Sequence, residues 1–465
     1  MKKRLLILSM LFCFNVHSQS NTWSVKFSNA ILSRYTPTIN ALTFKGWEYS
    51  NGIVLHGIEK VYNNTRDSNY LKYIKAYVDS YMDASGNFTA GALTTTLDKI
   101  QPGVLCLFLY KETGLLKYKN AATNLKNYLL SNAFQKTPDG GYWHKNDGNY
   151  NNVMMLDGIY MAEPFMARYG YMFNDTVCTN TAVFQTLLLA SHVYDNPSHL
   201  LKHAWDYYKI KPWANTTTGA SGEVWSRGMG WYAMALVDIL KYTPTGHPKF
   251  NQLRSLLDSV AIGIKNNQDP VTGLWYQVVN KKDSVANYTE SSGSGMFIYA
   301  LKTAVDNEWI DTSYLSVARK GWQGLQTKIA AYTDGLPQIK SFAPAMGVQN
   351  NYTVYVTAPY TAVNCPTAFG TQHPHGYCGL LMAASAMEFP VNTYIFTGDG
   401  NWSNAANWLN NTIPPNPLPA ANGIIIDPVS GGKCRLNLSQ QIAPGSVITI
   451  KKGKVLEIPL NFSLQ

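Results

Sequence analysis

Twelve stretches of helical periodicity occupy almost all of residues 23–389, and little in that span alternates with the period of two that a strand requires. The expected helices cover about 23–35, 46–63, 68–83, 100–113, 118–133, 154–170, 177–194, 228–242, 249–266, 292–305, 310–328 and 376–388. Loops rich in Gly, Asn, Asp and Pro separate most of them. Such a run either stacks as six hairpins closed into a ring or extends as an open α-solenoid. Solenoids repeat their sequence at a fixed period, and no such period is visible here. The expected fold is therefore all-α, an (α/α)6 toroid.

After Pro390 the character changes. Thr393-Tyr394-Ile395-Phe396-Thr397-Gly398 leads into Gly400-Asn401-Trp402-Ser403-Asn404-Ala405-Ala406-Asn407-Trp408, followed by Pro414, Pro415, Pro417 and Pro419. Short alternating runs such as Val447-Ile448-Thr449-Ile450 and Val455-Leu456-Glu457-Ile458 predict a small β-rich accessory module over 390–465. Its Asn-Trp-Ser…Asn-Trp stretch resembles C-terminal modules of exported bacterial enzymes and says nothing about catalysis. At the other end, Lys2, Lys3 and Arg4 precede an apolar run from Leu5 to Phe14, with small residues near Ser18. Residues 1–18 read as a secretory signal peptide, too short to span a membrane. The expected product is an exported protein in the periplasm, at the cell surface or outside the cell. Its main domain would run over 19–389, without a transmembrane segment.

Twelve Trp and thirty Tyr suit a cleft in which aromatic faces stack on sugar rings, though they also suit ordinary core packing. A net charge of +10 favours an anionic partner. No Lys/Arg run or nucleic-acid motif accompanies it, so an acidic saccharide fits better than DNA or RNA. Of six cysteines, Cys13 falls in the leader, leaving Cys106, Cys178, Cys365, Cys378 and Cys434. An odd number means at least one free thiol or an intermolecular bond, with Cys365–Cys378 as the expected pair. Cys365, His373, His375 and Cys378 match no standard zinc spacing, so no metal site is expected. Oligomeric state is left open.

Asp157 lies inside the apolar helical run from Met154 to Gly170, with no basic residue beside it in sequence. It is either a helix cap or a carboxylate in a poorly solvated pocket, where its pKa rises. Other polar groups stand where a plain helix bundle needs none. They are Tyr49 beside Glu48 and Trp47, Asp98 in a loop entering a helix, His144 after Gly141-Tyr142-Trp143, His203 after Lys202, and Arg227 between Trp225 and Trp231. Each also has a structural reading: Asp98 as an N-cap, the histidines as satisfied core or surface groups, the tryptophans as plugs, Arg227 as an ion-pair partner. In a toroid, however, loops at one rim converge on one cavity.

Asp157-Gly158-Ile159-Tyr160-Met161-Ala162-Glu163-Pro164-Phe165 together with Trp225-Ser226-Arg227-Gly228-Met229-Gly230-Trp231 resembles the unsaturated glycuronyl hydrolases of glycoside hydrolase family 105, with family 88 as the more distant relative. Thr272-Gly273-Leu274-Trp275-Tyr276-Gln277-Val278 and Glu290-Ser291-Ser292-Gly293-Ser294-Gly295-Met296-Phe297 support this, and the resemblance spans about 25–388. It implies an (α/α)6 enzyme that trims the unsaturated uronic acid left by a polysaccharide lyase, of rhamnogalacturonan or ulvan type. Carried over by position, Asp157 is the general acid/base and Asp98 the second active-site carboxylate. His203, Trp225, Arg227 and Trp231 contact substrate, with Tyr49 and His144 alongside. Residues 333–375, including Asn350-Asn351-Tyr352-Thr353-Val354-Tyr355, match nothing in this pattern.

On that resemblance one carboxyl group suffices, because the substrate is a vinyl ether. Neutral Asp157 protonates C4, and its carboxylate then draws a proton from the water that adds at C5. A raised pKa, from the apolar helix and nearby Asp98, would serve this. Arg227 would fork onto the uronate carboxylate, and Trp225 and Trp231 would offer stacking faces. No metal or organic cofactor is called for. The alternatives are a non-catalytic glycan-binding surface protein and a conventional (α/α)6 glycanase acting on saturated sugars. Some glycanases of that kind carry a tandem Asp-Asp motif that this chain lacks.

Overall fold

The inner helices of this protein are buried over most of their circumference, as helices enclosed in a ring are. The computed structural model describes residues 22–35, 46–332, 334–357, 373–389, 392–419, 422–444, 446–451 and 453–465. Trp23–Phe389 forms one compact unit and Pro390–Gln465 belongs to another. The helices of the first unit are α1 (Trp23–Arg34), α2 (Tyr49–Thr65), α3 (Ser68–Asp79), α4 (Gly103–Thr113), α5 (Leu116–Leu130), α6 (Leu156–Phe173) and α7 (Thr176–Val193). They continue with α8 (Ser226–Tyr242), α9 (Phe250–Asn266), α10 (Ser291–Asp306), α11 (Tyr314–Gln326), α12 (Tyr352–Thr357) and α13 (His373–Met387).

Contacts run α2–α4–α6–α8–α10–α13 and back to α2, which closes an inner ring of six. Helices α1, α3, α5, α7, α9 and α11 pack outside it, so the six-hairpin toroid is realised. Burial follows the layers. All residues of α8 from Ser226 to Leu240 are buried, whereas α9 buries only Phe250, Leu253, Leu257, Val260, Ala261, Gly263 and Ile264. That spacing of three and four is the stripe of a helix wet on its far side. Inner helices also approach closely where side chains vanish. A Cβ on Gly295 of α10 would lie 2.2 Å from the carbonyl oxygen of Gly379 on α13. The ring is latched at its ends by Glu388, whose carboxylate accepts from the backbone N–H of Trp23 (2.8 Å) and Ser24 (2.9 Å) at the start of α1.

All twelve expected helices are present, and α12 is an addition. Met154 and Met155 are also not helical as expected. They belong to β1 (Val153–Met155), which sits among the short strands β2 (Tyr194–Asp195), β3 (Leu200–Leu201), β4 (Ala204–Asp206), β5 (Ile329–Ala331) and β6 (Pro337–Ile339). β1 pairs antiparallel with β4, setting Met154 opposite Trp205 and delaying α6 to Leu156.

The second unit carries β7 (Thr393–Phe396), β8 (Gly400–Asn401), β9 (Gly423–Ile426), β10 (Cys434–Arg435), β11 (Val447–Ile450) and β12 (Leu456–Glu457). They form two parallel sheets, β11-β9-β7 and β12-β10-β8, so the chain climbs in successive coils rather than hairpins. Trp402 and Trp408 meet edge to face inside (4.8 Å, 81°), with Phe396, Leu418, Ile424, Ile426 and Leu436 around them. The Asn-Trp repeat therefore builds this unit's core.

Cys106, Cys178, Cys378 and Cys434 are buried free thiols, while Cys365, the expected partner of Cys378, lies outside the described residues. So do residues 1–21, which include the expected leader. No helix among the described residues is long and apolar enough to cross a membrane.

Candidate active site

Tyr49 opens α2, Asp157 is the second residue of α6, Trp225 and Arg227 open α8, Glu290 caps α10, and His375 lies in the first turn of α13. Asp98 sits in a 3-10 turn, Leu97–Lys99, just before α4. One rim of the inner ring thus gathers the N-terminal ends of its helices, where unpaired N–H groups and the helix dipole favour negative charge.

Asp157 does not cap its helix. Met155 is the N-cap residue and uses no side chain. The first N–H of α6, on Leu156, donates instead to the carbonyl of His203 (3.0 Å). That bond anchors His203 beside the carboxylate, and its Nε2 lies 3.2 Å from Asp157 Oδ2. Asp98 is not an N-cap either, since Thr96 holds that position and accepts from the Asp98 N–H. His144 Nε2 lies 3.7 Å from Asp98 Oδ1. Backbone bonds hold it there: Leu97 N–H donates to His144 O (3.1 Å), and His144 N–H donates to Val153 O (2.9 Å). Gly158 keeps the space open, because a Cβ there would lie 3.3 Å from His144 Nδ1. The Asp157 and Asp98 side chains remain 15% and 23% exposed while His203 is fully buried, so the carboxylates keep contact with solvent and the imidazole stands behind one of them.

The two carboxyls are pushed in opposite directions. Burial raises Asp98, His144 partly offsets it, and the charges of Asp157 and Glu48 raise it further. Burial would raise Asp157 as well, but the hydrogen bond with His203, helped by the neighbouring His144 and Arg227, brings it below the usual value. The expected raised pKa of Asp157 is therefore corrected. The sequence could not show that a histidine 46 residues away would press on that oxygen.

Tyr49 is half-buried, with its hydroxyl 2.9 Å from His375 Nε2; burial and the nearby Asp98 raise its pKa. Arg227 differs from expectation. It is 1% exposed and donates to the carbonyls of Ala343 (2.7 Å) and Pro344 and to Ser292 Oγ (3.2 Å), with Glu290 at 3.9 Å. Its fork is occupied inside the protein and is not presented to a uronate. Trp231, also 1% exposed, stacks on Tyr160 (5.1 Å, 25°) in the core. Trp225 packs against His203 (4.5 Å) and beneath the Arg227 guanidinium (4.7 Å). Neither ring presents a free stacking face.

Sequence reasoning missed Tyr355, whose hydroxyl lies 2.7 Å from His203 Nδ1, and Tyr150, which meets the His144 ring edge to face at 5.4 Å. Tyr150 also feels the charges of both Asp157 and Asp98. Tyr355 belonged to the unmatched stretch, and Tyr150 lay in a polar loop with no pattern. No group of three or more His, Cys, Asp or Glu able to hold a metal occurs among the described residues.

Residues 23–385 match the profile of Glycosyl Hydrolase Family 88. The chain belongs to that family. This family 88 chain is 23% identical over 332 residues to the unsaturated rhamnogalacturonyl hydrolase YesR of Bacillus subtilis (strain 168), covering 68% of this chain and 85% of that protein. A C. acetobutylicum ATCC 824 glycoside hydrolase from family 105 superposes with TM-score 0.71 at 29% identity, over 79% of this chain and 99% of the other. A family 88 glycosyl hydrolase from Bacteroides vulgatus shares the fold at TM-score 0.59 and 19% identity, over 78% and 96% of the two chains. The glycoside hydrolase assignment fits a rim that holds two carboxyl groups with opposed pKa shifts.

Proposed function

We propose that this enzyme removes the 4,5-unsaturated uronic acid from the non-reducing end of polysaccharide-lyase products, by hydrating the C4=C5 bond. The observation that carries the reading is the pair Asp157 and Asp98, part-exposed at the helix N-terminal rim of a family 88 toroid, with His203 against Asp157 alone. The relative named as an unsaturated rhamnogalacturonyl hydrolase supports a substrate of rhamnogalacturonan type, while an ulvan-derived one rests on the sequence resemblance alone. The converging helix N-termini support an anionic one, and the basic and apolar residues 2–14 support export.

In the resting protein Asp98 takes a proton more readily than Asp157 does. A uronate carboxylate bound at the rim adds a negative charge and raises Asp157 toward its acid form. Asp157 then gives its proton to C4, the positive charge develops at C5 and the ring oxygen, and water adds at C5. The carboxylate takes back the water's proton, and the resulting hemiketal opens and sheds the neighbouring sugar. No metal or cofactor enters these steps.

A panel of lyase-made oligosaccharides tests this through loss of ultraviolet absorbance from the conjugated double bond. Reaction in heavy water should place one deuterium at C4 of the released sugar, and the saturated counterpart of the same oligosaccharide should be left intact. Release of a saturated uronate at a comparable rate, or product without deuterium at C4, would overturn hydration.

A further inference from the structure

The hydrogen-bond partners of His203 determine its tautomer. The ring is fully buried, so water supplies neither a donor nor an acceptor. Nδ1 faces the Tyr355 hydroxyl at 2.7 Å, and Nε2 faces Asp157 Oδ2 at 3.2 Å. The Tyr355 oxygen in turn receives the backbone N–H of Gln349 at 3.3 Å, and an N–H can only donate. No other described group accepts from the Tyr355 hydroxyl, so its single hydrogen goes to Nδ1. A neutral imidazole that accepts at Nδ1 carries its hydrogen on Nε2 and donates it to Asp157.

Tyr355 is well placed to impose this. It lies in α12, which the chain inserts beside the rim, and is 1% exposed among Trp225, Val278 and Val356. Gln277 Nε2 donates to its carbonyl at 3.2 Å, and one turn earlier the Tyr352 hydroxyl donates to Val285 O at 2.8 Å. Both bonds pin the helix from the α8–α10 side. The phenol ring thus has little freedom to turn away.

We propose that Tyr355 is the positioning residue of the reaction, locking His203 as its Nε2–H tautomer so that Asp157 Oδ2 always accepts and Oδ1 alone carries the catalytic proton. The inference rests on the hydration reading for its consequence, although the lock itself needs no substrate. A carboxyl with one fixed acceptor oxygen can deliver its proton along one direction only. Protonation of C4 then occurs from one face of the sugar, and the chain from Gln349 through Tyr355 to His203 sets that face. A histidine free to flip its tautomer would spend part of its time accepting from a protonated Oδ2, a state that holds the proton away from the substrate.

Several groups face this pair and shape its pH response. From α2 there is Tyr49, from the turn before α4 Asp98, and from the loop before β1 His144 and Tyr150. Arg227 acts from α8, Tyr355 from α12, and the charge of Glu223 acts on the Tyr355 hydroxyl. Of the described groups, only His203 donates a hydrogen bond to the Asp157 carboxylate. Relaxing the tautomer removes that donor part of the time, so the pH limb governed by Asp157 moves to higher pH.

The test uses the full chain labelled with 15N-histidine, whose nine histidines are resolved by long-range proton–nitrogen correlation, with His203→Gln identifying the relevant one. The expected result between pH 6 and 8 is an Nε2–H signature in the unliganded wild type. In Tyr355→Phe, which keeps the ring and removes one oxygen, that signature should give way to mixed or Nδ1–H forms. With lyase-made oligosaccharides, the same variant should lose about a hundredfold in kcat while KM changes less than about threefold, and its pH limb should move up. A wild-type His203 found as Nδ1–H or as imidazolium overturns the proposal even if Tyr355→Phe fails to fold. Tyr355→Phe with wild-type tautomer and pH profile also overturns it. Failure of the hydration reading looks different: the Nε2–H signature would stand while no unsaturated oligosaccharide is consumed.

Discussion

Nε2 of His203 stands 3.2 Å from Oδ2 of Asp157, and this contact reverses the direction in which burial alone would move the carboxyl. Under the proposed mechanism, Asp157 at rest takes a proton less readily than Asp98, and a bound uronate would shift it toward its acid form.

Replacing Asp157 by Asn should lower turnover by about a thousandfold or more, because the amide keeps the shape but cannot exchange an acidic proton. Substrate binding and circular dichroism should stay close to wild type. Near-normal consumption of the unsaturated oligosaccharide would remove Asp157 from the acid/base role.

Asp98→Asn should slow the reaction and yet raise the melting temperature at pH 7. The folded pKa of Asp98 lies above its ordinary value of 3.8, so the stability it contributes is present below that pH and is lost as the pH rises through the folded value. The gap between variant and wild type should close below about pH 4. Asp157→Asn should behave in the opposite sense. The depressed pKa of Asp157 means a contribution present above its ordinary value and lost as pH falls through the lower folded one. Melting curves of both variants across pH 3–8 check the two signs together.

Arg227→Ala should act on stability before it acts on affinity. Removing the guanidinium leaves Glu290, fully buried, without its nearby cation, and frees the carbonyls of Ala343 and Pro344. Breaking one side of a buried pair costs about 3–5 kcal/mol, read as a fall in the urea midpoint. A variant as stable as wild type with a KM raised manyfold would restore the uronate-binding role expected from the sequence.

A chain ending at Phe389 should fold and keep its activity on small soluble oligosaccharides. The toroid and the β unit have separate cores, and none of the rim residues lies beyond 389. Loss of helical circular dichroism, or of activity on disaccharides, would show that the second unit belongs to the catalytic one.

The ring was legible because twelve stretches of helical period fill residues 23–389 with no fixed-period repeat, which a single sequence displays. Asp157, Asp98, His203, His144 and Tyr49 were legible as polar groups that a helix bundle had no use for, and the rim brings them together. What the sequence hid was the direction of side chains. Arg227 and Trp231 carry the right chemistry for a sugar acid, but one turns to carbonyls more than 110 residues later and the other stacks inward on Tyr160. Tyr355 was hidden for the complementary reason: a six-residue helix has too few turns to show a period, and its role exists only through a partner 152 residues away.

The bond from Glu388 to the first turn of α1 has a consequence for how the molecule is made. A ribosome releases α1 first, with the N–H groups of Trp23 and Ser24 bare, and the carboxylate that satisfies them follows some 365 residues later. Throughout that interval the α1 end of the ring is open, and α2 lacks the neighbour, α13, against which it packs. An interrupted chain therefore cannot pass for a finished one, because it exposes the apolar flank of α2 to whatever surveys nascent proteins. The rim obeys the same order of events: Tyr49 meets His375 only after the last helix of the ring has been made, while residues 390–465 are still to follow.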